Sequence, residues 1–439
     1  WQHTYSGVSY GTVTLSDSEQ AQNIDQEDQV LSQSYSNINA ASCAISNSKP
    51  VYEEKTHDGQ TTGRYDFETT FHDKLTIATG ALARLYHIHY TIAQPLGQQS
   101  PFSTDPSRSD AISFSPDLLT GETAGYVQMT FHVNKSWNLG AGERFQTFAL
   151  DGQVTATSRA SSIYKLSEHT SIYASFGQYA QLPPPVYILS YPQNRLLLPM
   201  RAKHLILGSE LWDGGTVRIG IEAYRKTYRD YPVSTEYPTL SLANMVDTLG
   251  QQFVWIPMAS LGNGSAYGVD IYASGNITRH FIGQANIAYS RALFSGRDGK
   301  LRPGNFDFPV IINAAGIWRS GRKYETSFRY EYTTGRPYTP FDLPPSIQQN
   351  RPIYNLEELN AVRGPAYSRL DFQMDRNFFI RHQVLTIYAG LENAFNRRNF
   401  LGYAWMPHCD LPGSCGFPAP YTELHQMPLL PDFGVRFSF

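Results

Sequence analysis

The last nine residues, PDFGVRFSF at 431–439, alternate between large apolar side chains and small or polar ones. Because successive side chains of a β-strand point to opposite faces, this period of two predicts a strand with one apolar face. That face carries Phe433, Val435, Phe437 and Phe439. Chain termini of soluble proteins usually fray and are polar, whereas the outer wall of a transmembrane β-barrel is apolar because it contacts lipid. We therefore expect these residues to face a membrane.

The same alternation recurs along most of the chain and predicts about sixteen strands. Their positions are 3–14, 62–73, 76–90, 122–135, 138–150, 154–165, 170–181, 202–213, 216–228, 265–276, 281–293, 308–319, 323–335, 366–378, 382–394 and 431–439. In several strands the second face carries rows of charged and amide side chains. Those residues are Glu325, Arg329, Glu331, Arg369, Asp371, Gln373, Asp375, Glu392 and Arg436. Such rows suit the wet or plugged interior of a barrel, so we expect them to face the lumen.

The links between these strands alternate between short and long. Short links lie near 73–75, 136–137, 167–170, 214–215, 278–280, 320–322 and 379–381, and long ones near 15–61, 91–121, 182–201, 229–264, 294–307, 336–365 and 395–430. Tight periplasmic turns alternating with long extracellular loops are typical of outer-membrane barrels, and only 151–153 is short where a long loop is due. The chain is expected to form a single domain, 1–439, folded as an all-β, transmembrane, antiparallel up-and-down β-barrel.

Composition narrows the class further. The hydrophobic fraction is 41% and the mean hydropathy is −0.37. No run approaches the ~18–20 apolar residues that a membrane helix needs, so a helical membrane protein is excluded. A barrel keeps its average hydropathy low because its apolar residues alternate with polar ones. The net charge of −3 provides no basic field, so no nucleic-acid partner is expected.

The sequence offers no recognisable catalytic or metal-binding motif. It lacks a nucleophile elbow, an HExxH pair and a phosphate-binding glycine loop, so we predict neither an enzyme nor a cofactor. His87 and His89 share a strand face at a spacing that could ligate a metal, but their strand alternates poorly and no metal site is predicted. Cys409 and Cys415, in CDLPGSC, predict a small disulfide loop in an exported protein, and Cys43 is expected to be free.

Aromatic residues in the long links are candidates for ligand contact. They are Tyr187, Tyr237, Trp255, Tyr354 and Trp405. Aromatic side chains near strand ends are expected to form interfacial girdles, but residues in projecting loops cannot serve that purpose. Rings with polar tips suit amphipathic ligands and sugars, so these loop residues are the predicted solute contacts.

Several segments, in order, resemble the C-terminal part of TonB-dependent receptors, the outer-membrane transporters of siderophores, vitamins and glycans. They include 125–145, 161–185, GSAYGVDIYASGNI (264–277), TTGRPYTP (333–340), RGPAYSRLDFQMDRNF (363–378), GLENAFNRRNF (390–400) and the terminal GVRFSF. The resemblance implies a barrel of ~22 strands, a plug domain and a TonB-binding box. Because this chain has neither plug nor box, it is expected to be the C-terminal barrel portion of a longer receptor.

The resemblance implies energised uptake of a large, scarce solute, such as a siderophore, vitamin, peptide or glycan, across the outer membrane of a Gram-negative bacterium. Its expected partners are outer-membrane lipid, TonB and a plug domain. Two alternatives stay open. One is a self-contained passive porin of about sixteen strands, constricted by a link such as 15–61 or 229–264. The other is a soluble all-β adhesin or carbohydrate-binding protein, which would bury the apolar faces in a core. The sequence does not name the solute.

Overall fold

The computed structural model describes residues 1–33, 43–94, 104, 112–150, 152–212, 216–245, 256–349, 352–381, 383–405 and 421–438. One large sheet of 19 strands dominates these residues. Its strands are β1 (Gln2–Ser6), β2 (Ser9–Gln33), β3 (Cys43–Phe71), β4 (Leu75–Gln94), β5 (Ile112–Phe114), β6 (Asp117–His132), β7 (Trp137–Phe148), β8 (Val154–Lys165), β9 (Thr170–Gln181), β10 (Met200–Trp212), β11 (Val217–Ser234), β12 (Met258–Asn276), β13 (Phe281–Ser295), β14 (Leu301–Pro303), β15 (Val310–Ser320), β16 (Tyr324–Thr333), β19 (Tyr367–Ile380), β20 (Gln383–Glu392) and β23 (Leu430–Ser438).

The remaining elements are small and lie in the links. Two small antiparallel sheets pair β17 (Pro337–Tyr338) with β18 (Val362–Arg363) and β21 (Phe400–Trp405) with β22 (Tyr421–His425). The helices are α1 (Pro185–Ser190), α2 (Leu343–Gln349) and two 3₁₀ turns, Pro192–Leu196 and Leu356–Glu358. No helix in the described ranges is long and apolar enough to span a membrane.

The large sheet is an antiparallel meander. Each strand pairs with its neighbours in sequence, and β5 and β14, with three residues each, only extend the pairing of β4 and β13. Without these two short strands, 17 of the 19 strands follow one another in chain order across the sheet. Within the described ranges β1 pairs only with β2, and β23 only with β20. The predicted fold class and the approximate strand number are confirmed.

The links between the strands confirm the predicted alternation of short turns and long loops. At one end of the sheet the strands turn within a few residues, as at 72–74, 134–136 and 321–323. His72 and Asp73 have φ angles of 49° and 52°, and Gly321 has a φ of 65°, so these tight turns use the left-handed backbone region. The opposite end carries the long links, and the short link 149–153 joins β7 to β8 there, as the sequence predicted.

The N-terminal part of the sequence prediction is wrong in two respects. The expected strand 3–14 is two strands, because the chain turns at Gly7 and Val8 between β1 and β2. The expected long loop 15–61 is mostly the outer half of the β2–β3 hairpin, whose register runs from Ser9↔Thr69 to Gln33↔Cys43. Polar residues occupy both faces of this ribbon beyond Asp17, so its sequence shows no apolar alternation that would mark it as strand.

The pairing register separates an apolar face from a polar face. Across β19, β20 and β23, Phe372 lies beside Leu391, and Ile387 lies beside Val435. The apolar side chains are the more exposed ones: Phe433 is 82% and Val435 66% accessible, whereas Gln373 and Asp375 are partly covered. This distribution is the reverse of that in a soluble protein, whose large apolar side chains are mostly buried and whose charged side chains are mostly exposed.

On the polar face, tyrosine side chains connect strands by crossing a glycine on the strand between them. The Tyr173 ring on β9 crosses Gly208, where an added Cβ would lie 2.2 Å from the ring, and its hydroxyl donates to Glu222 on β11 at 3.0 Å. In mirror fashion the Tyr272 ring on β12 crosses Gly220 and donates to Glu210 on β10 at 2.9 Å. Each glycine leaves room for a ring that spans two strand spacings.

Candidate ligand-binding site in the loop cap

The long links form a packed layer at one end of the barrel wall, which we call the loop cap. It comprises the described residues of 182–199, 235–257, 296–309, 334–366 and 393–429. The cap has an apolar core, in which Tyr187, Leu240 and Ile256 are almost fully buried together with Ile92 of β4. Burial of this kind stabilises each large side chain by about 1.5–3 kcal/mol, so the links are held as a fixed surface.

Asn194 joins two links inside this core. Its Nδ2 donates to the carbonyl oxygens of Tyr187 at 2.8 Å and Ile256 at 3.2 Å, and its Oδ1 accepts from the Met258 amide at 2.7 Å. The side chain is fully buried. A buried amide is tolerated when its donors and acceptors are paired, and here the pairing fixes link 182–199 against link 235–257.

Asp307 joins the next pair of links. Its buried carboxylate accepts from the Ala292 amide at 2.6 Å and from Arg291 Nε at 3.2 Å, and it also accepts from Arg363 Nη2. Nearby, Asn360 Nδ2 donates to Asn305 Oδ1 at 2.8 Å. The carboxylate between two guanidinium groups therefore ties links 296–309 and 334–366 to β13.

These constraints leave a cavity of about 200 Å³ between links 235–257, 296–309, 334–366 and 393–429, which we call the aromatic cavity. Its rings are those of Tyr338, Phe341, Tyr354, Phe400, Tyr403 and Tyr421. The ring centroids of Tyr338 and Tyr403, of Phe341 and Tyr354, and of Tyr403 and Tyr421 are 5.2 Å apart. The amides of Asn244, Asn305 and Asn360 and the guanidinium of Arg336 complete the lining. The described lining of the cavity thus combines closely packed rings with neutral hydrogen-bonding groups and one cation.

Burial raises the pKa of Tyr403 to about 12, with a further contribution from its hydrogen bond to Tyr338. The phenol is therefore neutral at physiological pH and able both to donate and to accept a hydrogen bond. Asn244 is only 4% exposed, and its Oδ1 accepts from the Ser241 amide at 2.8 Å. Within the described residues its Nδ2 has no acceptor. An unpaired buried donor costs free energy, so a ligand oxygen that reached Asn244 would recover that cost.

The five loop aromatics predicted from the sequence have different positions. Tyr354 lines the aromatic cavity, and Trp405 packs edge-on against Phe341 with centroids 5.5 Å apart. Tyr187 and Tyr237 lie in the core of the cap, where burial raises the pKa of Tyr187. Trp255 lies outside the described residues. Sequence reasoning missed Tyr338, Phe341, Phe400 and Tyr421 as site residues, because only tertiary packing brings these scattered rings together.

The other predicted residues fall as follows. The predicted lumen-facing residues share one face of the sheet: Arg369 Nε lies 2.6 Å from Asp371 and its Nη2 lies 2.8 Å from Glu392, while Gln373 donates to Asp375 at 2.6 Å. The register adds Glu325, Arg329 and Glu331 to this face, as well as Arg436. Phe433, Val435 and Phe437 point to the opposite face. That the polar face lines a lumen remains a prediction. Cys409, Cys415 and Phe439 lie outside the described residues.

An antiparallel meander with tight turns at one end, a packed loop cap at the other and an exposed apolar face has the architecture of an outer-membrane β-barrel. Residues 1–394 match the family model described as TonB dependent receptor-like, beta-barrel, so the chain belongs to this family. The family consists of receptors and transporters rather than enzymes. The resemblance noted in the sequence is thereby confirmed.

Solved receptor structures share the fold. The ferripyoverdine receptor of the outer membrane of Pseudomonas aeruginosa, solved with ferripyoverdine, has a TM-score of 0.66 at 13% identity and covers 99% of this chain. The ferric-catecholate import receptor Fiu from E. coli K12 (0.65, 11%, 99%) and the ferric yersiniabactin uptake receptor FyuA from Yersinia pestis (0.64, 12%, 99%) are similarly close. The chain spans 54%, 62% and 59% of these three chains. No curated protein matches it in sequence.

Proposed function

We propose that residues 1–439 form the barrel of an outer-membrane receptor of a Gram-negative bacterium that imports a large, scarce solute with energy supplied through TonB. Membership of the receptor family supports this proposal. The inside-out distribution of side chains supports the membrane location, because Leu207, Ile221 and Ile271 are about half exposed on the neighbouring strands β10, β11 and β12. Apolar patches of this extent destabilise a protein in water and mark surfaces that contact lipid or a partner.

The aromatic cavity is the proposed recognition site. The observation that supports this assignment is that its lining is held in place and presents a polar group that is unpaired within the described residues. Several links converge on it, each fixed by buried contacts, and Asn244 presents a buried donor without an acceptor among the described residues. At about 200 Å³ the cavity is smaller than the ~300–1,000 Å³ of a typical ligand pocket. It therefore suits one ring-bearing portion of a larger solute, with the remainder extending over the cap or toward the lumen.

The lining also defines which solutes fit. Among the described lining residues Arg336 is the only charged one, and none is a carboxylate. Neutral or anionic solutes are favoured over cationic ones, because no negative group would compensate a bound cation. Ring faces and amide groups suit aromatic or sugar rings that carry oxygen acceptors. Ferric siderophores, vitamins, peptides and glycans with such rings remain the candidate classes.

The proposed partners are TonB and a plug domain that fills the lumen. A barrel of this width without a plug would conduct solutes nonselectively, so energised import requires both. We expect residues 1–439 expressed alone either to fail to assemble or to form a nonselective pore in planar bilayers.

Uptake measurements test the recognition site. Cells that produce the intact protein are supplied in turn with labelled ferric siderophores, cobalamin, peptides and oligosaccharides, and the imported solute is identified. The variant Tyr403→Ala should then lower the affinity for that solute by about tenfold or more, since a stacked, hydrogen-bonding ring contributes on the order of 1–3 kcal/mol at a binding site. The matched control is Tyr289→Ala, because Tyr289 is half exposed on the apolar face. Equal affinity in both variants would contradict the assignment.

A further inference from the structure

The apolar face carries an unusual group of cations at one place, on the neighbouring strands β10 and β11. Arg201 lies directly opposite Arg229, Lys203 opposite Thr227, and Leu205 opposite Arg225. All of these side chains point to the face that carries Leu205, Leu207 and Leu211. We call Arg201, Lys203, Arg225 and Arg229 the outer basic patch. From its position and charge we infer that the patch binds the phosphate groups of anionic lipid in the outer leaflet of the membrane.

The height of the patch matches the upper membrane boundary. From Leu211, near the tight turn, to Arg201 the strand β10 advances about ten residues, which at ~3.3 Å per residue and a tilt of ~40° rises about 25 Å. This distance is the height of the apolar band of an outer-membrane barrel. Leu205, Leu207 and Leu211 lie within the band. Arg201 and Arg229 lie at its upper boundary, whereas Lys203 lies about 5 Å and Arg225 about 10 Å below it along the barrel axis, so their long side chains must extend upward to place the charges at the boundary.

The charges of the patch are largely uncompensated. Arg201 lies 3.5 Å from Asp230. Within the described part of the chain, Lys203, Arg225 and Arg229 have no carboxylate within salt-bridge distance, and all three are exposed. Like charges directly opposite each other on a sheet, such as Arg201 and Arg229, destabilise the pairing. A phosphate placed between them would turn this repulsion into charge-assisted hydrogen bonding.

The patch is also confined to this sector. Toward β9, the residues level with Arg201 and Lys203 are Ala180 and Gln178. Toward β12, Thr227 and Arg225 lie beside Ser265 and Tyr267, and Tyr267 is partly exposed as expected of an interfacial ring. A sequence-independent attraction to membrane charge would place cations around the whole circumference. The next cation on this level, Arg291 opposite Tyr267 on β13, is already paired with Asp307. A group of largely unpaired cations bordered by uncharged residues is therefore suited to one lipid headgroup that carries several phosphates.

This inference rests on the proposed membrane location but not on the proposed transport. The test uses the intact protein, purified in detergent and reconstituted in phosphatidylcholine vesicles with or without a bisphosphorylated glycolipid. Protection from protease reports insertion, and native mass spectrometry reports retained glycolipid. We expect the triple variant Lys203→Gln, Arg225→Gln, Arg229→Gln to weaken glycolipid retention on the order of 100-fold, or roughly fivefold per cation.

The control with the same charge loss is Lys74→Gln, Lys135→Gln, Arg322→Gln in the tight turns, which should retain the glycolipid as the unaltered protein does. The charge-conserving variant Arg225→Lys, Arg229→Lys should retain most of the binding, and it distinguishes loss of charge from misfolding.

Equal retention by the triple variant, or equal retention of the dephosphorylated glycolipid, would overturn the inference. Displacement by millimolar inorganic phosphate would identify a general phosphate site and overturn the assignment to lipid. Failure to insert would refute the membrane location and this inference with it, whereas insertion without glycolipid preference would refute only the inference.

Discussion

The carboxylate of Asp307 offers the sharpest test of how the cap is held together. It is buried between Arg291 and Arg363 and also accepts from the Ala292 amide at 2.6 Å. The change Asp307→Asn preserves shape but removes the charge, so it leaves two guanidinium groups facing an amide. Removing one partner of a buried ion pair costs ~3–5 kcal/mol. Because the two arginine side chains are 30% and 29% exposed, solvent screens part of that loss, and we expect about 2–3 kcal/mol.

This loss should appear in the cap and not in the barrel wall, because the affected contacts join links to the end of β13 and do not pair the strands of the meander with one another. Hydrogen exchange of peptides covering 292–309 and 335–363 should accelerate roughly 30- to 150-fold, the factor that corresponds to 2–3 kcal/mol of local opening. The matched control is Glu325→Gln, which removes a partly exposed carboxylate 2.7 Å from Arg319 and should cost under about 1 kcal/mol. Unchanged exchange in the Asp307→Asn cap, or equal effects of the two variants, would refute the reasoning.

Three further predictions follow from the same structure. Placing arginine at Phe437 should lower the free energy of unfolding from vesicles by ~2–4 kcal/mol near mid-bilayer and by less toward the interface, whereas an unchanged value would mean that this face does not contact lipid. Because the pKa of Tyr403 is raised to about 12, its contribution to cap stability should be complete below pH 10 and decline between pH 10 and 12; in Tyr403→Phe that part of the pH dependence of cap hydrogen exchange should disappear. Cys409 and Cys415 should resist alkylation until the protein is reduced, with a modest and local effect on stability because the ring is short, and immediate alkylation of both would disprove the disulfide.

The strands that cross the membrane were predictable from the sequence because they have two different environments. In β19, Phe372 and Met374 alternate with Gln373 and Asp375, and the structure places the two sets on opposite faces. The β2–β3 ribbon has no such contrast, since polar residues occupy both faces beyond Asp17, and its strand character emerges only from pairing with its partner. Alternation therefore reports the presence of lipid on one side of a sheet, not the presence of a sheet.

The proposed recognition site was only partly predictable for a related reason. Tyr354 was a reasonable candidate as an aromatic residue in a long link, and it lines the cavity. Tyr187 looked equivalent in sequence but lies in the core of the cap, because the links are long enough to bury residues of their own. Nothing in local sequence separates these two environments, since the difference depends on which links pack together.

Energised import is the central claim, and solute uptake in isogenic cells with and without TonB tests it most directly. The intact protein should accumulate its solute against a gradient in cells that contain TonB, and accumulation should fall to background when TonB is absent. Selective uptake that is unaffected by loss of TonB would contradict the receptor account and favour a passive porin.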